Sequence, residues 1–162
     1  MILIDTSLYI AAVGDKELEQ LLEELSKKNF VQSCDMIEEE VHESSEFLRK
    51  TDRNQQSEKL KLVYGKIRQG NIRITERIIG LAKEYHNEAE LSKKQDKGID
   101  NDFLIVASAS VAGLKNILSL NRKTMASEEM KGVYSIINKK YNYKTPVFLT
   151  TKEELVKFLK SL

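Results

Sequence analysis

Short apolar runs alternate with longer amphipathic segments along the 162-residue chain. Most of the short runs lack Gly and Pro, which is typical of strands buried on both faces of a sheet. The longer segments carry apolar residues at i, i+3, i+4 and i+7, which predicts helices with one buried face. Alternating strands and helices favour a parallel sheet with helices on both sides. The pattern therefore predicts an α/β fold, a three-layer α/β/α sandwich whose mainly parallel sheet has four or five strands.

The pattern also gives approximate bounds for each element. The predicted strands are the apolar run before Asp5 and residues 29–34, 71–74, 116–120 and 146–149. The predicted helices cover residues 8–13, 18–25, 35–49, 60–67, 78–89, 103–113, 130–141 and 151–162. Asp35 and Glu38 have the spacing of a capping box, and the charged segment Ser92–Gly98 predicts a loop.

Composition restricts the class of protein. A single domain, 1–162, is the simplest organisation at this length. No apolar stretch is long enough to span a bilayer and the N-terminus has no signal-like segment, so we expect a cytoplasmic protein without a membrane partner. The single cysteine, Cys34, cannot form an internal disulfide, which agrees with a reducing compartment. The 26 Lys and Arg residues are balanced by 25 Asp and Glu residues, so any site for a polyanion must be local.

Acidic and amide side chains stand where predicted strands meet helices. Asp5 follows the first strand, Asp100 and Asp102 begin the apolar helix, and Asn121 follows the fourth strand. Ligands in open parallel sheets bind at the carboxyl ends of the strands, where these residues would meet. Carboxylates gathered there repel one another unless some are protonated or a cation is present. Oxygen ligands without a Cys or His cluster favour Mg²⁺ or Mn²⁺.

Four stretches, in their order and spacing, resemble the PIN-domain nucleases, a family that includes VapC-type toxins and archaeal RNA-processing proteins. The stretches are Met1–Ser7 (MILIDTS), Ile37–Val41 (IEEEV), Asp102–Ala109 (DFLIVASA) and Leu118–Arg122 (LSLNR). The resemblance runs from end to end of the chain. It implies an endoribonuclease that uses Mg²⁺ or Mn²⁺ and water to cleave RNA. For toxin-like members it also implies an antitoxin protein and a second copy of the chain as partners.

The resemblance assigns site residues by position. Asp5 matches the first acid of the family, Glu40 the second and Asp102 the third, with Glu39 as the alternative for the second. Asn121 takes the fourth position, where many relatives have Asp. This departure removes a negative charge and predicts a lower metal affinity, although an Asn oxygen can still bind a cation or orient a water.

Each of several further residues near these positions has two interpretations. Asp100 either compensates for the missing fourth acid as a metal ligand or only caps its helix. Thr6 and Ser7 either hold a phosphate or a water at a helix N-terminus or act as simple caps. Arg122 and Lys123 either contact phosphates of the substrate or are solvated surface cations.

A second function of a different class also fits the sequence. The amide at position 121 and the near-neutral net charge would suit a catalytically weak or inactive scaffold of the same fold that binds RNA or protein. Cleavage of RNA that depends on a metal ion separates the two functions.

Overall fold

A computed structural model of the chain describes residues 1–91 and 100–162, with Asp100 described by its backbone alone. Five strands in these residues form one all-parallel sheet with the order β3-β2-β1-β4-β5. The strands are β1 (Ile2–Ile4), β2 (Val31–Cys34), β3 (Gly70–Ile72), β4 (Asn116–Leu118) and β5 (Val147–Leu149). The predicted α/β class and the parallel sheet are confirmed, with five strands.

The described helices form two groups. The helix α4 contacts α1, α2 and α3, and α2 contacts α8, whereas α5 contacts α6 and α7. A contact between α3 and α6 joins the two groups. With the sheet between helices, the chain has the three-layer α/β/α architecture. The helices are α1 (Thr6–Val13), α2 (Lys16–Lys28), α3 (Asp35–Lys50), α4 (Asn54–Ile67), α5 (Glu76–Leu91), α6 (Asp100–Val111), α7 (Glu128–Lys140) and α8 (Lys152–Ser161).

The strand order creates a point where the chain changes direction across the sheet. The chain passes from β1 to β2 and β3 on one side, then returns to add β4 and β5 on the other side of β1. The carboxyl ends of β1 and β4 therefore lie side by side where the two directions diverge. In open parallel sheets this switch point is the usual location of a ligand.

The sheet and the helix α6 supply much of the core. All three residues of β1 are at most 1% exposed, as expected for a central strand covered on both faces. Ala107 and Ala109 of α6 are fully buried, in agreement with the predicted helix that has no polar face. The buried apolar residues of the described chain belong to one cluster. This core holds the ends of β1 and β4 and the start of α6 in fixed positions.

The predicted capping box at the start of α3 is wrong. The N-cap residue is Cys34, and the Asp35 side chain makes no bond to its own helix. Instead its carboxylate accepts hydrogen bonds from Asn71 Nδ2 and from the backbone N–H of Ile74, both at 2.8 Å. These donors, one in β3 and one just after it, bind Asp35 in place of the N–H groups of its own helix, because a carboxylate accepts from any well-placed donor.

The end of one strand also differs from the prediction. The strand β4 ends at Leu118 and not at residue 120, because the backbone N–H of Leu120 donates to the Ser7 hydroxyl and leaves the sheet. The predicted loop Ser92–Gly98 lies outside the described residues. Among the described residues, no helix combines the length and the apolar character required to cross a membrane.

A buried polar network ties α5, α6 and α7 together. The fully buried Asn138 accepts a short hydrogen bond from the Tyr85 hydroxyl and donates to Ser110 Oγ and Thr145 Oγ1, each at 3.1 Å. The oxygen of the Tyr85 hydroxyl, whose only proton goes to Asn138, also lies 3.2 Å from Ser110 Oγ and can accept the proton of that serine. Because α6 carries Asp102, this network helps to fix the helix that presents a candidate site residue.

We expect Asn138→Leu to lower the free energy of unfolding by about 2–3 kcal/mol, because it leaves buried donors and acceptors without partners. Urea denaturation followed by circular dichroism measures this change. Adding Tyr85→Phe should recover part of the loss, since the orphaned hydroxyl is then removed. An unchanged urea midpoint in Asn138→Leu would show that the network contributes nothing to stability.

Candidate active site

Asp5 lies at the carboxyl end of β1 and is 5% exposed. Its Oδ2 accepts hydrogen bonds from Ser7 Oγ at 2.7 Å and from Ser119 Oγ at 2.8 Å. Each serine hydroxyl in turn accepts a backbone N–H at 3.0 Å from the segment after β4, from Leu120 and Asn121 respectively. The Asp5 side chain makes no capping bond to α1. The carboxylate is therefore oriented by the chain that leaves β4.

Asp102 lies in the first turn of α6 and is 8% exposed. Its Oδ2 contacts two donors, the Thr124 hydroxyl at 2.9 Å and Asn121 Nδ2 at 3.5 Å. Both donors belong to the turn between β4 and α7. The same segment of chain therefore contacts the carboxylates of Asp5 and Asp102.

Glu40 lies on α3 and approaches the site from that helix. Its Oε1 accepts a hydrogen bond of 3.2 Å from the hydroxyl of Thr6, the first residue of α1. Glu40 is partly buried, whereas Glu39 is exposed. The position of Glu40 on α3 follows from its neighbours Ile37 and Val41, which are buried in the core.

The charges of these acids act on one another. Burial first, and then the charges of Asp5 and Asp102, raise the pKa of Glu40 to about 7, while the Thr6 hydroxyl acts in the opposite direction. Burial and the charge of Asp5 likewise raise the pKa of Asp102 to about 6, against the lowering effect of the Thr124 hydroxyl. Asp5 thus acts on both other acids, and all three lie within electrostatic range.

The donor set has the chemistry of a hard-cation site. A divalent cation would stabilise three carboxylates whose negative charges repel one another, and oxygen ligands suit Mg²⁺ and Mn²⁺. In residues 1–91 and 101–162, no three His, Cys, Asp or Glu side chains are close enough to enclose a metal ion. Mg²⁺ nevertheless often binds through one or two carboxylates and keeps several waters, so it does not require three enclosing side chains.

A polar groove of about 730 Å³ begins at the site. It extends from Leu120 and Asn121 past Ser127 and Thr150, and the cations that line it are Arg122, Lys123 and Lys131. Arg122 and Lys123 are exposed. Glu128 and Glu154 also line the groove, so its charge is mixed.

Most residues selected from the sequence are brought together. Hydrogen bonds that run through Ser119 link Asp5, Ser7, Asn121 and Asp102. Thr6, next to Asp5 in the chain, binds Glu40, and Arg122 and Lys123 line the adjoining groove together with Asn121. The side chain of Asp100 lies outside the described part of the chain.

Sequence reasoning missed Ser119 and Thr124, which contact the two aspartates directly. The signal for Ser119 was present, because it immediately follows the last residue of an apolar strand, as Asp5 does. Thr124 had a weaker signal, an Asn-x-x-Thr spacing that permits a side chain to accept a backbone N–H three residues later.

No protein-family model matches the chain, and no curated protein matches it in sequence. Among solved structures, the chain is similar to one chain of the crystal structure of VapBC2 from Rickettsia felis bound to a DNA fragment from their promoter. The similarity has a TM-score of 0.62 and 17% sequence identity, and it covers 80% of this chain and 95% of that one. The two chains share the fold, which agrees with the PIN-like architecture that the sequence resemblance implied.

Proposed function

We propose that the protein is an endoribonuclease that depends on Mg²⁺ or Mn²⁺. The observation that supports this proposal most strongly is that the charges of Asp5, Glu40 and Asp102, which come from three separate parts of the fold, act on one another beside the switch point of a parallel sheet. The fold shared with a VapBC2 chain supports it, because VapC-type toxins belong to the family that the sequence resembles.

Asp5, Glu40 and Asp102 are the candidate ligands for the cation. One or two of these carboxylates would bind the cation directly, and the remaining acid would bind it through a water molecule, as is common for Mg²⁺. When bound, the ion supplies an activated water and neutralises charge that develops on the phosphate. Asp5 is central in this assignment because its charge acts on both other acids.

The residues of the chain have separate tasks in this proposal. Ser7 and Ser119 hold Asp5 in one orientation through two hydrogen bonds to the same oxygen. The Glu40 carboxylate, held by the Thr6 hydroxyl, is the group that would accept the proton of the attacking water. Arg122 and Lys123 contact phosphates of the RNA strand along the groove.

The toxin of a toxin–antitoxin pair is the biological role that we favour. The similar structure is a VapBC2 complex. The resemblance to VapC-type toxins implies an antitoxin protein and a second copy of the chain as partners. An open reading frame for a small protein with a DNA-binding N-terminus beside the gene would support this role. Without such a neighbour, an RNA-processing nuclease is favoured.

A scaffold without turnover is the second candidate. It is favoured by Asn121 in place of a fourth acid and by the lack, within the described residues, of a three-carboxylate cage. It would bind RNA or protein through the same groove. Cleavage of RNA in the presence of a divalent cation decides between the two functions.

Purified protein should cleave labelled single-stranded RNA in Mn²⁺, and EDTA should abolish the cleavage. Loss of a residue that only orients a metal ligand costs roughly 10–100-fold. Asp5 is itself a candidate ligand, so Asp5→Asn should reduce the cleavage rate by more than this. Asp52→Asn is the matched control, since Asp52 is exposed at a turn with φ of 60°, a conformation that Asn accepts. Binding of RNA without cleavage in any divalent metal would support the scaffold.

A second comparison tests the choice between neighbouring glutamates. Glu40→Gln should lower the cleavage rate, whereas Glu39→Gln, the same change at an exposed position on α3, should not. The measurement is the single-turnover rate at saturating Mn²⁺. Equal losses in both variants would contradict the assignment of Glu40.

The stability of the metal-free protein should fall between pH 5 and pH 8. Glu40 and Asp102 have raised pKa values in the folded state, so the folded protein retains protons that the unfolded chain releases. Their protonation stabilises the fold at low pH, and this contribution is lost as the pH rises through about 6 and 7. Mg²⁺ should therefore raise the melting temperature more at pH 8 than at pH 5.

Thermal unfolding in EDTA and in Mg²⁺ across this pH range measures both effects. Glu40→Gln should flatten the pH dependence in EDTA and reduce the stabilisation by Mg²⁺. A wild-type melting temperature that is independent of Mg²⁺ at pH 8 would argue against a cation at these acids.

The groove cations have a distinct expected effect. Arg122→Ala and Lys123→Ala should weaken RNA binding at low salt and lower the slope of log affinity against log salt by about 0.7 for each phosphate contact to a single strand. Fluorescence anisotropy with labelled RNA measures this slope. The salt concentration is varied from roughly 50 to 300 mM, a range that includes physiological ionic strength. Lys61→Ala, on α4, is the control for a general loss of charge.

A further inference from the structure

The turn that follows β4 is organised by the side chain of Asn121. Its Oδ1 accepts the backbone N–H of Thr124 at 3.2 Å and lies 2.7 Å from the Thr124 hydroxyl. Its backbone carbonyl accepts the N–H of Ala126 at 2.9 Å. Asn121 and Thr124 therefore contact each other through two separate atoms of Thr124.

These contacts fix which way the Asn121 amide faces. A backbone N–H can only donate, so the atom that it meets must be the oxygen of the amide and not the nitrogen. With Oδ1 facing Thr124, the nitrogen Nδ2 faces Asp102 Oδ2 at 3.5 Å. A flipped amide would set its NH₂ group against the Thr124 N–H and turn its oxygen toward a carboxylate, and both contacts would be repulsive.

The Thr124 hydroxyl completes the arrangement. It has one proton and two acceptors, Asp102 Oδ2 at 2.9 Å and Asn121 Oδ1 at 2.7 Å. The proton lies between these two acceptors, so the hydroxyl bridges them and holds the amide oxygen of Asn121 as well as the carboxylate of Asp102. Asp102 Oδ2 is then held by two donors from one turn, which parallels the two serine hydroxyls on Oδ2 of Asp5.

We propose that Thr124 is a positioning residue that holds the Asn121 amide with its nitrogen toward Asp102, so that Asn121 orients this acid and does not bind the cation through its oxygen. The inference rests on the proposed metal-dependent nuclease function. It gives the fourth site position of this chain a role as a hydrogen-bond donor, where a carboxylate could only accept.

The orientation of Asn121 is measurable without metal. In ¹H–¹⁵N spectra of the metal-free protein, the Asn121 side-chain NH₂ signals, identified by their loss in Asn121→Asp, should be shifted from free-amide positions and protected from exchange. Thr124→Val should move them to free-amide positions, and Thr124→Ser should retain them. Free-amide signals in the wild-type protein would overturn the proposal.

Binding of Mn²⁺, measured by calorimetry, tests the consequence for the site. Thr124→Val should weaken the affinity by roughly 10–100-fold, the range for partners that orient metal ligands, and Thr124→Ser should stay close to wild type. Thr51→Val, at an exposed position after α3, is the matched control. If Thr124→Val does not fold by circular dichroism, Thr124→Ala removes the same hydroxyl and takes its place.

The double variant separates positioning from direct coordination. If Thr124 and Asn121 act as one unit, Thr124→Val combined with Asn121→Ala should weaken Mn²⁺ binding no more than either change alone. Additive losses, or a much larger loss in Asn121→Ala, would make Asn121 a ligand and overturn the proposal. A wild-type protein that binds no Mn²⁺ would overturn the nuclease function and with it the role of the pair, whereas normal binding in Thr124→Val would overturn only the positioning role.

Discussion

The pairing of β1 with β4 brings together two segments of chain that are 114 residues apart at Asp5 and Ser119. Ile4 pairs with Leu118, and the hydrogen bond from the Asp5 N–H to the Leu118 carbonyl continues the ladder by one step. A shift of this register by one residue would turn the side chains of one strand to the opposite face. The acid and the hydroxyl that orients it would then no longer meet, so the geometry of the site depends on the register of one strand pair.

The site combines burial with uncompensated charge. The hydrogen bonds that the described residues make to Asp5, Glu40 and Asp102 come from hydroxyl and amide groups. Neutral donors orient a carboxylate and lower the cost of burying it, but they do not cancel its charge. Burial, and after it the remaining repulsion, explains why the pKa values of Glu40 and Asp102 are raised although both side chains are hydrogen-bonded.

The fold was predictable from the sequence because periodicity reports burial. The central strand β1 and the buried helix α6 were clear, since neither has a polar face. The capping box at Asp35 was predicted wrongly because the partners of this residue lie in β3 and just after it, far along the chain, and local spacing carries no information about them. The acids Asp5 and Asp102 were found from their positions at strand and helix ends, whereas Thr124 was missed because its role depends on a tertiary contact with Asp102.

Cys34 has a practical consequence for work on this protein. Its side chain is fully buried at the end of β2, and burial raises the pKa of the thiol to about 11. Since the thiolate is the form that reacts with maleimides and alkylating reagents, the native thiol should stay inert while the protein is folded. A cysteine introduced on the surface would therefore be labelled selectively, and fluorophores or spin labels could be attached near the groove without first replacing Cys34.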